Sequence, residues 1–220
     1  ASDAGVAHDP AATVGDVRQV VAPPYDIIDA SLQKTLHDRH PNNVIRLELG
    51  YEQPGDTTGD NKYLRAAGAL KEWLKSGALR RDDKPAIYYH TIEYQPPYSA
   101  PGTPTKVFKG FLSTVELEEF GSGKIYPHEN TRAAAKTDRF NLLEACRANF
   151  SAIISLYSDP QNDVLTLIEQ SIASDKPRID FQDDVGFRQR LWSVTDPAVL
   201  AKVVEIMHTK QLFIADGHHR

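Results

Sequence analysis

Gln211-Leu-Phe-Ile-Ala-Asp-Gly-His-His-Arg220 is the stretch whose reading decides the fold class. Gln211–Ala215 is short and apolar, the composition of a buried strand. It runs directly into Asp-Gly-His-His-Arg, where Gly217 permits a tight turn or a close backbone approach. Just upstream, Pro197–Met207 has helical periodicity with Asp196 placed as its N-cap. Helix followed by strand followed by a glycine turn is the grammar of a chain that mixes both element types around one core.

Working outward, the same alternation recurs. Asp163–Ile172 reads as a helix, and Ile179–Phe181 with Arg188–Val194 as a strand pair around an Asp-Asp-Val-Gly turn. Ala152–Tyr157 reads as a short buried strand, and Asn141–Arg147 continues a helix. Ala86–Tyr94, aromatic and β-branched, is a strand whose partner returns over Val107–Leu117 after a proline-rich loop at Gln95–Thr105. A long amphipathic helix starts at Asn61 and closes at Ser76-Gly77. Glu52–Gly59 is a loop, and Val44–Leu49 alternates apolar and charged residues as a half-buried strand does. Asp29-Ala-Ser-Leu offers N-cap candidates for a helix carrying Leu32, Leu36 and His37, and Val20–Ile28 reads as a strand end stiffened into a loop by Pro23 and Pro24. The expected class is α/β (mixed α+β), with mixed sheets and flanking helices. Residues 1–19 are expected to be a partly ordered segment and 20–220 an α/β domain, divisible into two subdomains near 105–120. The start without Met and the stop at an element junction predict a C-terminally truncated chain.

The chain has 220 residues and a formal net charge of -5. That balance argues against a general nucleic-acid or membrane-surface binder, which needs a basic footprint. No apolar run approaches the roughly 18 residues needed to span a bilayer, and the start lacks the layout of a signal peptide. Cys146 is the single cysteine, so no internal disulfide can form. Within the helix around Leu142–Arg147 it reads as a small buried residue rather than a nucleophile. A soluble cytoplasmic protein is expected, with no membrane partner, no nucleic-acid partner and an oligomeric state that the sequence leaves open.

Two clusters carry chemistry. In Ala215–Arg220, a helix starting after the strand would offer free N–H groups to an anion, and Arg220 could add a forked contact to phosphate oxygens. Phosphate or nucleotide binding is therefore weighed above a divalent metal site and above a purely structural turn. His218 and His219 alternate in direction if the strand continues, so both facing one metal would need irregular backbone. In Pro127–Arg139, His128 and Glu129 are acid–base candidates, and Arg132, Lys136 and Arg139 recur at helical spacing. A solvated charged face is the bland alternative. Arg132 stands where H-E-x-x-H requires its second histidine, so a zinc-protease site is excluded. Asn43 beside Asn42 and His40, and Tyr25-Asp26 after the double proline, can line a pocket or simply form turns. Trp73 and Trp192 are read as core.

Val21–Ile28 (VAPPYDII), His40–Gly50 (HPNNVIRLELG), Lys109–Leu112 (KGFL), Ile125–Thr131 (IYPHENT), Lys136–Arg139 (KTDR) and Ala215–Arg220 (ADGHHR) together resemble a bacterial and archaeal family of unknown function, numbered 1015. The resemblance runs from Val20 to Arg220, and that family continues past the DGHHR motif. The motif in turn resembles the phosphate-binding turn of the ParB/sulfiredoxin superfamily, which implies a ParB/sulfiredoxin-like element around the C-terminal motif. Gly217 and Arg220 match the turn glycine and phosphate arginine of that superfamily. His219 matches the histidine beside the arginine, and His218 replaces the catalytic cysteine of sulfiredoxins, which rules out their chemistry. Pro127-x-Glu129 resembles the stretch that carries the base in the superfamily's free-serine kinases.

The function these features imply is a nucleotide-dependent phosphotransferase acting on a small hydroxylated metabolite. Gly217, His218, His219 and Arg220 would hold phosphates, and Lys136 and Arg139 would neutralise the transferring charge. Glu129 would accept the hydroxyl proton, with His128 and Asp216 as the other catalytic candidates. Tyr25, Asp26 and Asn43 would contact the substrate. The implied cofactors are a nucleotide (ATP, ADP or CTP) and Mg²⁺ held mainly by phosphate oxygens, and no metal-ligand set is assigned to protein side chains. The alternatives are a non-catalytic nucleotide-binding switch of ParB type and a metal-dependent hydrolase using Asp216, His218, His219 and Glu129. Nothing in spacing alone brings Glu129 to Arg220.

Overall fold

A computed structural model describes residues 11–220 except 101, 120 and 122. The expected N-terminal segment 1–19 lies outside the described residues over 1–10. The architecture is mixed α/β, as expected, and its contacts divide it into two units. The first comprises Asp82–Tyr126 and Leu156–Leu212, and the second comprises the described residues up to Arg81, Pro127–Ser155 and Phe213–Arg220.

The first unit is built on an antiparallel sheet. β1 (Ile87–Tyr94) and β2 (Lys106–Leu112) form a hairpin, followed by β3 (Ile125–Tyr126), β4 (Ile154–Leu156), β5 (Ile179–Gln182), β6 (Arg188–Val194) and β7 (Leu212–Asp216). Four of these form a sheet in the order β2-β1-β6-β5, with Tyr89 opposite Phe111 on one side and Trp192 on the other. Ile87, Tyr89 and Thr91 alternate inward along β1, the period-2 burial of a one-sided sheet. That face packs with Val164, Ile168, Ile172 and Val203. The β5–β6 turn is tied by Asp183, whose carboxylate accepts from the Val185 and Phe187 N–H groups, and Gly186 supplies the positive φ of 87° that it needs. A second, three-stranded sheet completes the mixed α/β architecture.

The helices, in chain order, are α1 (Ala11–Val14), α2 (Ala30–Arg39), α3 (Ile45–Glu48), α4 (Lys62–Ser76), α5 (Ala133–Cys146), α6 (Asp163–Ser171) and α7 (Pro197–Met207). Asp29, Asp196 and Gly77 stand at helix ends as the sequence suggests, and Asn61 caps the helix that starts there. Asp29 accepts from Leu32 N–H, Asn61 from Tyr63 and Leu64 N–H, and Asp196 from Ala198 and Val199 N–H. Gly77 ends α4 in the left-handed region. Among the described residues, no helix is long and apolar enough to cross a membrane.

Three expected elements differ. Val44–Leu49 forms the single helical turn α3 rather than a strand, because Asn43 organises its start. The Asn43 Oδ1 accepts from Ile45 N–H at 3.0 Å, while its side-chain nitrogen donates to Gln19 O at 2.8 Å and Val21 O at 2.9 Å. With Ile45, Leu47 and Glu48 all buried, one turn satisfies the burial that an alternating strand pattern also describes. Val20–Ile28 contains no strand; its prolines lead into a 3-10 turn at Tyr25–Ile27. Of Ala152–Tyr157 only β4 is strand, and Ile154 and Leu156 are exposed, so it is not the buried strand expected.

Asn43 is fully buried, so Asn43→Ala would orphan two carbonyls and one N–H. We expect a loss of about 2–3 kcal/mol in urea unfolding. Ile168→Ala in the core of the first unit should cost about 2–5 kcal/mol by the cavity it leaves.

Candidate functional site

The second unit holds both sequence clusters, and its charged centre lies where α3, α4 and α5 meet. Arg139, 8% exposed, donates to the Glu48 carboxylate at 3.0 Å and to the Glu48 carbonyl at 3.1 Å. It also pairs with neighbouring Asp138, and Ser151 Oγ donates to Glu48. Asp138 is further held by Lys62 Nζ at 2.8 Å and by the Tyr63 hydroxyl at 2.8 Å, both from the capped first turn of α4. Burial alone would raise the Asp138 pKa, but hydrogen bonds from Lys62, Arg139 and Tyr63 outweigh it and hold the carboxyl below its ordinary value. A pocket lined by Glu48, Gly50, Lys62, Tyr63, Arg139 and Leu142 lies over this network.

Tyr25 connects the network to the C-terminal turn. The Arg139 guanidinium lies 4.2 Å from the Tyr25 ring centroid, and that of Arg220 lies 5.3 Å from the same centroid. Gly217, at φ 90°, begins the turn that Arg220 N–H closes on the Gly217 carbonyl at 3.0 Å. A Cβ at position 217 would come 2.6 Å from Arg220 Nη1 and 3.3 Å from Ile153 Cα, so both φ and space require glycine. The Arg220 side chain is 9% exposed. It reaches only Ala152 O at 3.3 Å and Asp216 Oδ2 at 3.5 Å, and its buried Nε has no hydrogen-bond partner among the described residues.

The turn also brings the two clusters together. Glu129 Oε1 lies 3.0 Å from His218 Nδ1, across 89 positions of sequence (218 less 129). His218 is 98% buried at the side chain while Glu129 is half exposed. The pair is close but misaligned: Nδ1 of His218, like that of His219, makes no hydrogen bond among the described residues. His128 stacks edge-on to His218 with ring centroids 4.5 Å apart, and its Nδ1 meets the Ile214 carbonyl at 2.6 Å. Because a carbonyl only accepts, that contact puts the neutral His128 proton on Nδ1 and leaves Nε2 with its lone pair.

His128, Glu129, Asp216, Gly217, His218, Arg220 and Tyr25 thus share one neighbourhood, and His219 lies within the same turn. Lys136 sits exposed on α5 and Asp26 exposed in its 3-10 turn. Two expected roles are replaced. Arg139 spends its donors on Glu48 and Asp138 rather than facing a phosphate, and Asn43 is a buried clamp on backbone rather than a substrate contact. Glu48, Asp138, Lys62, Tyr63 and Ser151 were missed in the sequence. The available signal was a carboxylate within the apolar run of HPNNVIRLELG and a second one in KTDR.

A mixed α/β chain whose helical unit holds a His–Glu cluster on a glycine turn, braced by a buried Arg–Glu pair, is the class that fold and site define. Residues 4–220 match the family described as "Protein of unknown function (DUF1015)", and the chain belongs to that family. No curated protein and no solved structure gives a significant match.

Arg139→Met would leave Glu48 buried without its cation, and we expect a loss of about 3–5 kcal/mol. Glu48→Gln combined with Arg139→Met should recover much of that loss, as a double-mutant cycle in urea would show. Since the folded Asp138 pKa is depressed, its contribution is complete above the unfolded value of about 3.9 and is lost as pH falls through the lower folded value. Thermal unfolding against pH should therefore drop more steeply on the acid side in the parent chain than in Asp138→Asn.

Proposed function

We propose that the chain carries the phosphoryl-transfer site of a nucleotide-dependent phosphotransferase whose substrate is a small hydroxylated metabolite. The observation that supports this most directly is the 3.0 Å approach of Glu129 to His218, which joins a carboxylate to a glycine turn that ends in an unsatisfied arginine. Arg220 reaches its present partners at long distances, with one donor idle, so phosphate oxygens can replace them with shorter, charge-assisted bonds. In this reading His219 and the backbone around Gly217 would complete the phosphate contacts, with Lys136 as a further cation.

In this reading the substrate O–H gives its proton to the half-exposed Glu129 carboxylate. Its oxygen attacks the terminal phosphorus in line as the bond from phosphorus to the bridging oxygen breaks, and the shortened nucleotide leaves with that oxygen. Asp216, exposed on the turn, would help hold a Mg²⁺ carried by the phosphate oxygens, an ion that would supply positive charge to the transferring group.

Glu129→Gln should lower nucleotide-dependent phosphorylation across a panel of hydroxylated metabolites by about 10²–10⁴-fold. It should leave the nucleotide-induced rise in melting temperature intact, whereas Arg220→Ala should abolish that rise. Tight nucleotide binding without transfer to any metabolite would instead favour a binding switch, and unchanged turnover in Glu129→Gln would defeat the assignment.

A further inference from the structure

We infer that His128, Glu129 and His218 form a binding site for a single divalent transition-metal ion, with at least one coordination position left open. This does not rest on the phosphotransferase reading, because no nucleotide is needed to build it. One donor atom from each of the three residues falls in a cluster whose members all lie within 4.8 Å of one another. Two donors on one ion, each at about 2.1 Å, can stand at most about 4.2 Å apart. The cluster limit of 4.8 Å exceeds that by only about half an ångström, so a small side-chain adjustment closes the set. The 3.0 Å between Glu129 Oε1 and His218 Nδ1 already suits two neighbouring ligands of one ion.

Two further observations point to an ion rather than to a plain His–Glu pair. The first is His218 itself: its side chain is 98% buried, yet Nδ1 faces the carboxylate without an aligned hydrogen bond. A buried polar atom left so costs stability unless something binds it. The second is the Ile214 carbonyl, which holds the His128 Nδ1 proton and so leaves the Nε2 lone pair free to bind. A carbonyl on the far nitrogen is the usual support behind a metal-bound imidazole. His218 would coordinate through Nδ1 and carry its proton on Nε2, giving up a weak 3.4 Å contact from the His128 N–H. Two imidazoles and one carboxylate suit Zn²⁺, Fe²⁺, Mn²⁺ or Co²⁺, and disfavour Mg²⁺ and Ca²⁺, which prefer oxygen donors. Three protein ligands leave room for water or a substrate oxygen, whose proton such an ion makes easier to remove. Asp216 and His219 are not needed in the ligand set.

The test uses metal alone. The 220-residue chain, stripped with chelator and confirmed folded by circular dichroism, is titrated calorimetrically with Zn²⁺, Mn²⁺ and Co²⁺, and with Fe²⁺ under nitrogen. The expected result is uptake of a single ion per chain, with the Co²⁺ form showing ligand-field absorption. His128→Gln and Glu129→Gln change exposed side chains and should stay folded. Each should weaken uptake by at least the roughly 10–100-fold seen for loss of a supporting group, and each should alter the Co²⁺ spectrum. Glu144→Gln, an exposed carboxylate outside the cluster, should bind as the parent does. No stoichiometric uptake of any of the four ions, or uptake undiminished in both His128→Gln and Glu129→Gln, would overturn the site.

Discussion

The buried pair of Arg139 and Glu48 is the constraint around which the second unit is organised. Neither charge can leave water without the other, since a lone buried ion costs several kcal/mol even after relaxation. The pair therefore ties the end of α3 to the first half of α5. Each remaining oxygen and nitrogen needs a partner, and those demands recruit Ser151, Asp138 and, through Asp138, Lys62 and Tyr63 at the start of α4. One chain of charge-assisted bonds thus links the three helices, beside the apolar packing of Ile45, Leu47, Ala66 and Leu142.

That register determines where the chemistry sits. Tyr25 offers its ring to Arg139 and to Arg220, so the C-terminal turn is positioned against the same network. Gly217 lets the backbone reverse where any side chain would strike Arg220 or Ile153. With the turn so placed, His218 is buried beneath Glu129, and His128 is fixed by a carbonyl of β7. The polar atoms left without partners there belong to three consecutive residues, His218, His219 and Arg220. Asn43 and Glu48 engage their side-chain groups in hydrogen bonds, whereas His37 Nε2 and Arg46 Nε in the same unit are also buried without partners among the described residues. Three such residues in succession on one turn mark a place that can bind something.

Legibility of the fold followed the range of the forces involved. The helices α2, α4, α6 and α7 were readable, and α2, α4 and α7 showed end signals as well as periodicity, because a capping oxygen or a closing glycine acts within a few residues. The β1–β2 and β5–β6 pairs were readable for the same reason. Failures occurred where a distant residue outvoted the local pattern. Val44–Leu49 has a strand's alternation, yet Asn43 and the backbone near Val20 turn it into a helix. Arg139 has the spacing of an exposed cationic stripe with Arg132 and Lys136, yet it alone is drawn inward by a carboxylate 91 residues away. Nothing in helical periodicity separates those three residues.

The sequence by itself determined the mixed α/β class, several helix ends, a glycine turn at 217 and the two stretches where polar side chains concentrate. All of these depend on steric and hydrogen-bond effects within a few residues of each other. Only the tertiary structure decided that the two stretches meet, that Glu129 faces His218, that His128 presents Nε2, and that Arg139 is a brace rather than a ligand. Those outcomes depend on which buried charges and donors find partners across about 90 residues of chain. Pairing of that kind is selected by the cost of leaving a charge or donor unpaired in the interior, a cost that exists only once the interior has formed.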